Sequence, residues 1–276
     1  MRILISSDME GTSGIVDWEQ VTPGKAEYER SRRLMTGDVN AAVSAAFSVG
    51  ADEVVVNDAH WFARNILVEE LDKRVSLNCG APAPISMLQS IDGTTPYDAL
   101  VLCGYHSRAG TRNGILCHTW SDHVAGVWLN GFLVGEIGLN AALAGHFDTP
   151  VITISGDQAA CEEARALLGQ NISTAVVKVA IARFAARCLP LVEARECIQS
   201  AVKAGIQSLK AGQAPSPYLV SHPIQLEVEY ARSNLADRAN FLPGAQRMTG
   251  TRLAYQAADM PTAVRAFRTM TALAVE

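Results

Sequence analysis

The chain has 276 residues, 49% of them hydrophobic and 18% charged, the proportions of a well-buried globular protein and not of a disordered one. A net charge of −5 gives no reason to expect nucleic acid or an anionic membrane surface as a partner. No window is apolar for long enough to span a bilayer, and Met1 and Arg2 run straight into a strand-like segment. A cytoplasmic protein is therefore expected, with its six scattered cysteines reduced, since none forms a CxxC pair.

Residues 3–5 read as a buried parallel strand. Asp8 and Glu10 follow, two positions apart, before a turn marked by Gly11 and Gly14. In an open α/β sheet, the loops at the C-terminal ends of strands are where ligands bind. Two carboxylates there repel unless a cation, protons or hydrogen bonds offset them. The plainer reading of Asp8 is a turn or helix-cap residue.

Residues 27–49 carry Leu34, Met35, Val39, Ala42, Val43, Ala46 and Phe47 at helical spacing, with Gly50 as a stop. Residues 53–60 form a β-branched run ending in His60, the second strand of a βαβ unit and parallel to the first. That geometry brings His60 beside Asp8 and Glu10. Another strand, 97–106, ends at Gly104-Tyr105-His106, and His118 lies just beyond it. Asn130-Gly131 predicts a tight hairpin turn. Glu136 leads into an Ala- and Leu-rich helix over about 138–145. Residues 149–157 form a further parallel strand, followed by a helix to 168.

Past 168 the texture changes. An apolar stretch at 174–181, a helix over 191–209 and a linker at 211–217 precede a period-two strand at 224–230. A short helix at 234–239, a strand at 248–255 and a helix at 260–274 complete the chain. The expected fold is α/β: a mostly parallel sheet flanked by helices over 1–168, and a smaller C-terminal α+β domain over 169–276. The second part holds one histidine, His222, so the chemistry is expected in the first.

Asp8, Glu10, His60, His106, His118 and Glu136 converge on predicted strand ends without forming any compact local motif. There is no HExxH, Walker loop or GxSxG elbow. Mixed carboxylates and imidazoles suit Zn²⁺ or Mn²⁺ better than Mg²⁺, and a carboxylate can bridge two ions. A metal phosphohydrolase stays open because Arg108 and Arg112 lie near His106 and could clamp phosphate, as does a non-enzymatic metal-binding protein.

Five segments occur in the order found in the zinc-dependent D-aminopeptidase family associated with bacterial dipeptide transport. They are Ser7-Asp8-Met9-Glu10-Gly11, Asn57-Asp58-Ala59-His60, Gly104-Tyr105-His106, Cys117-His118-Thr119 and Gly135-Glu136-Ile137-Gly138-Leu139-Asn140. The resemblance extends to Leu34-Met35-Thr36, Val39-Asn40-Ala41-Ala42, Gly156-Asp157 and Leu242-Pro243-Gly244. It implies two zinc ions per chain held by Asp8, Glu10, His60, His106 and Glu136, with Asp8 as the bridging carboxylate. It also implies a metallo-aminopeptidase that acts on short peptides, with N-terminal D-residues such as D-Ala. His118 matches the histidine proposed as the catalytic nucleophile in that family. Proton transfer or oxyanion donation is favoured here over covalent attack, because water activated between metals already supplies a nucleophile. Ala59 stands where serine is common and Ser107 where alanine is common. The family also implies a closed, ring-like homo-oligomer larger than a dimer, for which Trp61, Phe62, Trp120 and Trp128 are candidate anchors; the plainer reading packs these aromatics inside the monomer or along the pocket.

Overall fold

The computed structural model describes residues 1–275. The chain opens with β1 (Arg2–Ser7), a short helix α1 (Trp18–Val21), the long α2 (Tyr28–Ser48), β2 (Glu53–Asp58) and β3 (Ser76–Asn78). After a 3₁₀ turn at Ser86–Leu88 come β4 (Ala99–Tyr105), β5 (Val124–Leu129), β6 (Phe132–Val134), α3 (Glu136–His146), β7 (Val151–Asp157) and α4 (Gln158–Leu168). The remainder is β8 (Ser173–Ala182), β9 (Ala185–Cys188), α5 (Leu191–Lys210), β10 (Ile224–Tyr230), α6 (Ser233–Ala239), β11 (Gln246–Arg247), β12 (Arg252–Ala257) and α7 (Met260–Leu273).

The first sheet has seven strands in the order β3-β2-β1-β4-β7-β8-β9. Every pairing in it is parallel except that of β8 with β9. Strands β1, β2 and β4 are buried on both faces, which is why they read as near-continuous apolar runs. One face carries Ile3, Ile5, Val54, Val56 and Val101, covered by α2 and α5. The other carries Leu4, Val55, Leu100 and Leu102 and packs against α3, α4 and the 3₁₀ turn. From there the same core continues through α6 and α7 to the second sheet.

That second sheet is antiparallel, ordered β11-β12-β10-β5-β6. In β10 the burial alternates strictly residue by residue, as its period-two sequence predicts. The β5–β6 turn sits at Asn130-Gly131 with φ of 49° and 82°, the paired positive values that a two-residue hairpin turn requires. Sheet membership does not follow the expected partition at 168/169. β5 and β6 leave the first segment to join the second sheet, while β8, β9 and α5 belong to the layers of the first.

Candidate metal centre

β1 has β2 on one side and β4 on the other, so the chain reverses its direction of sheet growth between β1 and β4. Ligands gather in such a crevice, outside the C-terminal ends of the strands. In register, Ser7 lies beside Asp58 and Cys103. The residues just beyond those ends are Asp8 and Glu10 from β1, His60 from β2 and His106 from β4. Glu136 arrives from elsewhere. It is the first residue of α3, where the helix dipole favours a carboxylate, and its Oε1 accepts the Trp120 N–H at 2.7 Å. The helix thus begins two residues earlier than its composition suggests.

Close backbone approach assembles the crevice. Gly11 N–H donates to Gly104 O at 2.8 Å, and Asp8 N–H donates to Cys103 O at 2.8 Å. A Cβ on Gly11 would fall 1.9 Å from Tyr105 O. Gly104 adopts φ +71°, and a Cβ there would meet Asp8 O at 2.4 Å. His60 is turned inward by a loop folded around Asp58, whose carboxylate accepts N–H groups from Asn65 and Ile66 and the Asn65 side-chain amide. That amide also donates to His60 O at 2.6 Å. The loop bearing His118 is pinned by Asp157, which accepts Ile115 N–H at 2.8 Å while capping α4.

The sequence-predicted site residues Asp8, Glu10, His60, His106, His118 and Glu136 all meet here, none more than 7% exposed. Their donor atoms fall into two clusters, Asp8–Glu10–His60 and His106–His118–Glu136, with the atoms of each within 4.8 Å of one another. Asp8 joins the two: its Oδ1 lies 3.2 Å from His60 Nδ1, and its Oδ2 lies 3.4 Å from His106 Nε2. Glu10 Oε2 approaches His60 Nδ1 at 3.1 Å, and Glu136 Oε1 approaches His106 Nε2 at 3.3 Å. His118 Nε2 lies 3.9 Å from Glu136 Oε1, and its ring stacks on that of His106 at 4.0 Å.

Each imidazole is held the same way. His60 donates through Nε2 to Val21 O at 2.8 Å, His106 through Nδ1 to Ser107 O at 3.0 Å, and His118 through Nδ1 to Leu116 O at 2.7 Å. A carbonyl can only accept, so the outer nitrogen carries the proton and the inner one faces the carboxylates. This is how metal-binding histidines are oriented from behind. Glu10 Oε2 and His106 Nε2 are buried without a hydrogen-bond partner, which is costly unless a cation meets them. The donor set and these orphaned atoms fit a zinc-type ion.

Charge reinforces the arrangement. Burial opposes ionisation of Asp8, yet the facing imidazoles of His106 and His60 hold its carboxyl below the usual range. Burial likewise disfavours the charged forms of His60 and His106, but the facing carboxylates push both well above the ordinary imidazole value. A divalent cation satisfies the same carboxylates in place of those protons. His118 moves the other way. Burial and neighbouring His106 push it down, leaving a neutral ring whose Nε2 can take up a proton.

A cavity of about 630 Å³ opens onto this centre. Asp8, Glu10, His60, His118 and Glu136 form its floor, and Trp18, Trp61, Phe62 and Trp120 contribute aromatic wall. Thr271, Ala272 and Val275 complete it from the end of the chain, a contribution with no signal in the sequence. No Lys or Arg lines it among the described residues; Arg108 is engaged by Glu163 and Arg112 is exposed, so neither stands in the cavity as the phosphate clamp of the phosphohydrolase alternative requires. Of the candidate anchors, Trp61 and Phe62 are 57% and 52% exposed. Trp120 packs on Phe267 and Arg268 beside the cavity, and Trp128 lies under the Arg252 guanidinium at 3.8 Å.

Fold and site together define an α/β protein with a buried His/Asp/Glu centre at a sheet switch point, open to a pocket suited to a small ligand. Residues 1–269 match the model of the D-aminopeptidase peptidase family. A D-aminopeptidase from Bacillus subtilis (strain 168) is 37% identical over 276 residues, covering 100% of this chain and 98% of that protein. A solved structure, described as the Zn-dependent D-aminopeptidase DppA from Bacillus subtilis, a self-compartmentalizing protease, superposes with a TM-score of 0.94 at 36% identity, over 99% of this chain and 98% of that one. The chain belongs to the D-aminopeptidase family and is a peptidase, a hydrolase of peptide bonds.

Proposed function

We propose that this chain is a two-zinc aminopeptidase that removes N-terminal residues, D-Ala among them, from short peptides. The observation that carries the reading is the split engagement of Asp8, one carboxylate oxygen toward each cluster, as a bridging ligand requires. Asp8, Glu10 and His60 would hold one ion, and Asp8, His106 and Glu136 the other. Zinc bound there supplies Lewis acidity toward the scissile carbonyl and an attacking water. The described zinc dependence of the Bacillus subtilis relative supports the choice of metal.

His118 is the candidate catalytic residue. Its Nδ1–H is committed to Leu116 O, so the free Nε2 can accept a proton or, once protonated, donate to a developing oxyanion. A second reading, His118 as a ligand, is favoured by its grouping with His106 and Glu136. The floor accommodates the substrate's amino end among carboxylates, and the aromatic wall receives the rest. The relative's description as self-compartmentalizing supports a closed homo-oligomer larger than a dimer, with exposed Trp61 and Phe62 near the mouth as contact candidates.

The test combines zinc analysis with a panel of D-Ala and L-Ala peptides, anilides and phosphate esters. The expected result is two zinc ions per chain and cleavage of D-Ala peptides, with loss of both ions in Asp8→Ala. A fully active metal-free protein, or action on phosphate esters alone, would sink the reading.

A further inference from the structure

One hairpin outside every metal-binding segment touches both halves of the centre. Lys178 lies near the middle of β8, and Arg183 in the tight turn between β8 and β9. Lys178 is 1% exposed, and its Nζ donates to the main-chain oxygens of Glu10 at 2.6 Å, Thr12 at 2.9 Å and Ile15 at 2.6 Å. An ammonium has three donors and no acceptor, so these three carbonyls saturate it. All three belong to the turn that starts at Glu10. That turn holds Glu10 against His60 and passes Gly11 under the end of β4. No neutral side chain offers three donors from one atom.

Arg183 serves the opposite half. Its main-chain oxygen accepts Leu116 N–H at 2.9 Å, and its Nη2 donates to Cys117 O at 3.2 Å and Asp122 Oδ1 at 2.6 Å. These contacts bracket His118, whose own Nδ1–H is held by Leu116 O. The guanidinium also lies 5.9 Å from the Trp18 ring, which packs edge-on against His118 at 5.1 Å. We infer that the β8–β9 hairpin is the positioning element of the centre, with Lys178 fixing the Asp8–Glu10 turn for metal binding and Arg183 fixing His118 for the chemical step.

The inference rests on the two-zinc reading, and its test separates the two. Zinc affinity is measured by competition with a chromophoric chelator on folded, metal-stripped protein. Lys178→Met is expected to weaken zinc by about 10- to 100-fold, the usual cost of losing support behind a metal ligand, and Lys178→Gln by less. If Lys178→Met does not fold, Lys178→Gln decides, and wild-type affinity in it refutes the role of Lys178. Arg183→Met is expected to keep wild-type zinc affinity and KM while kcat falls by roughly 10- to 100-fold, the scale of a misplaced catalytic group. In a His118→Ala background the same change is expected to cost nothing further, as two residues acting through one step are non-additive. An equal loss in both backgrounds would make Arg183 merely structural, and an unchanged kcat would leave it idle. Absence of zinc from the wild-type protein would instead overturn the two-zinc reading itself.

Discussion

Gly11→Ala isolates the geometry that brings Asp8, Glu10 and His106 together. The reason for glycine here is space: an added methyl group would sit 1.9 Å from Tyr105 O and 2.5 Å from Gly104 C. Ordinary contact needs about 3.5 Å, so the turn and the end of β4 must part by roughly 1.5 Å. Both are main chain and cannot rotate aside. Separation strains or breaks the Gly11 N–H bond to Gly104 O, worth about 1 kcal/mol, on top of overpacking at about 1–3 kcal/mol. A total near 2–4 kcal/mol corresponds to a fall in Tm of about 3–7 °C for a chain of this size. The parting also moves His106 away from Asp8, and a displacement of that size costs about 10²-fold in rate. Calorimetry of the metal-free protein, zinc titration and kcat/KM on a D-Ala peptide measure the three effects. A variant that melts, binds zinc and turns over like the wild type would refute the close-approach argument.

His118→Ala is expected to retain most of its zinc while losing about 10²-fold or more in kcat, as for a general acid–base group; loss of zinc would mark it as a ligand. Light scattering is expected to give a mass several times the single-chain value of 29.5 kDa, and an active monomer would refute the closed assembly. Burial pushes the thiols of Cys103 and Cys161 up to about 12, so alkylation of the native protein at pH 8 is expected to modify exposed Cys79 and spare those two until unfolding, read by mass spectrometry.

The βαβ start of the fold was legible because β1 and β2 each carry an unbroken apolar run, at 3–5 and 54–56, and α2 carries a clean helical period, while the period-two pattern of 224–230 marked β10 residue for residue. Sheet membership was not legible. Nothing local in 124–134 says that these strands pair with β10 instead of the parallel sheet; that choice is made by the core shared through α7. The metal-binding candidates were readable because His60 and His106 follow apolar strands whose ends must align. The parts holding them from behind were mostly hidden. Asp58 and Asp157 look like ordinary turn acids in sequence. Lys178 left a faint mark, as a lone cation inside the apolar stretch 174–181, which a solvated strand face would explain equally well. Thr271, Ala272 and Val275 reach the cavity wall through the packing of α7, not through any motif.

The crossing of the chain between its two sheets bears on how the protein is made. β5 is synthesised between β4 and β7, but its partner β10 emerges roughly a hundred residues later, and closing so long a loop is slow relative to local pairing. On a growing chain, β1, β2 and β4 can align, with Asp8, Glu10, His60 and His106 already in place, while the hairpin just before Glu136 still has an open edge. Lys178 and Arg183 join only when β8 and its turn have been translated, and α7 closes the cavity last. The parts of the centre thus follow one another along the chain: first the candidate ligands, then the hairpin that braces them, then the last of the cavity wall. The cavity over the centre is walled completely only when α7 is in place, since Thr271, Ala272 and Val275 belong to that wall.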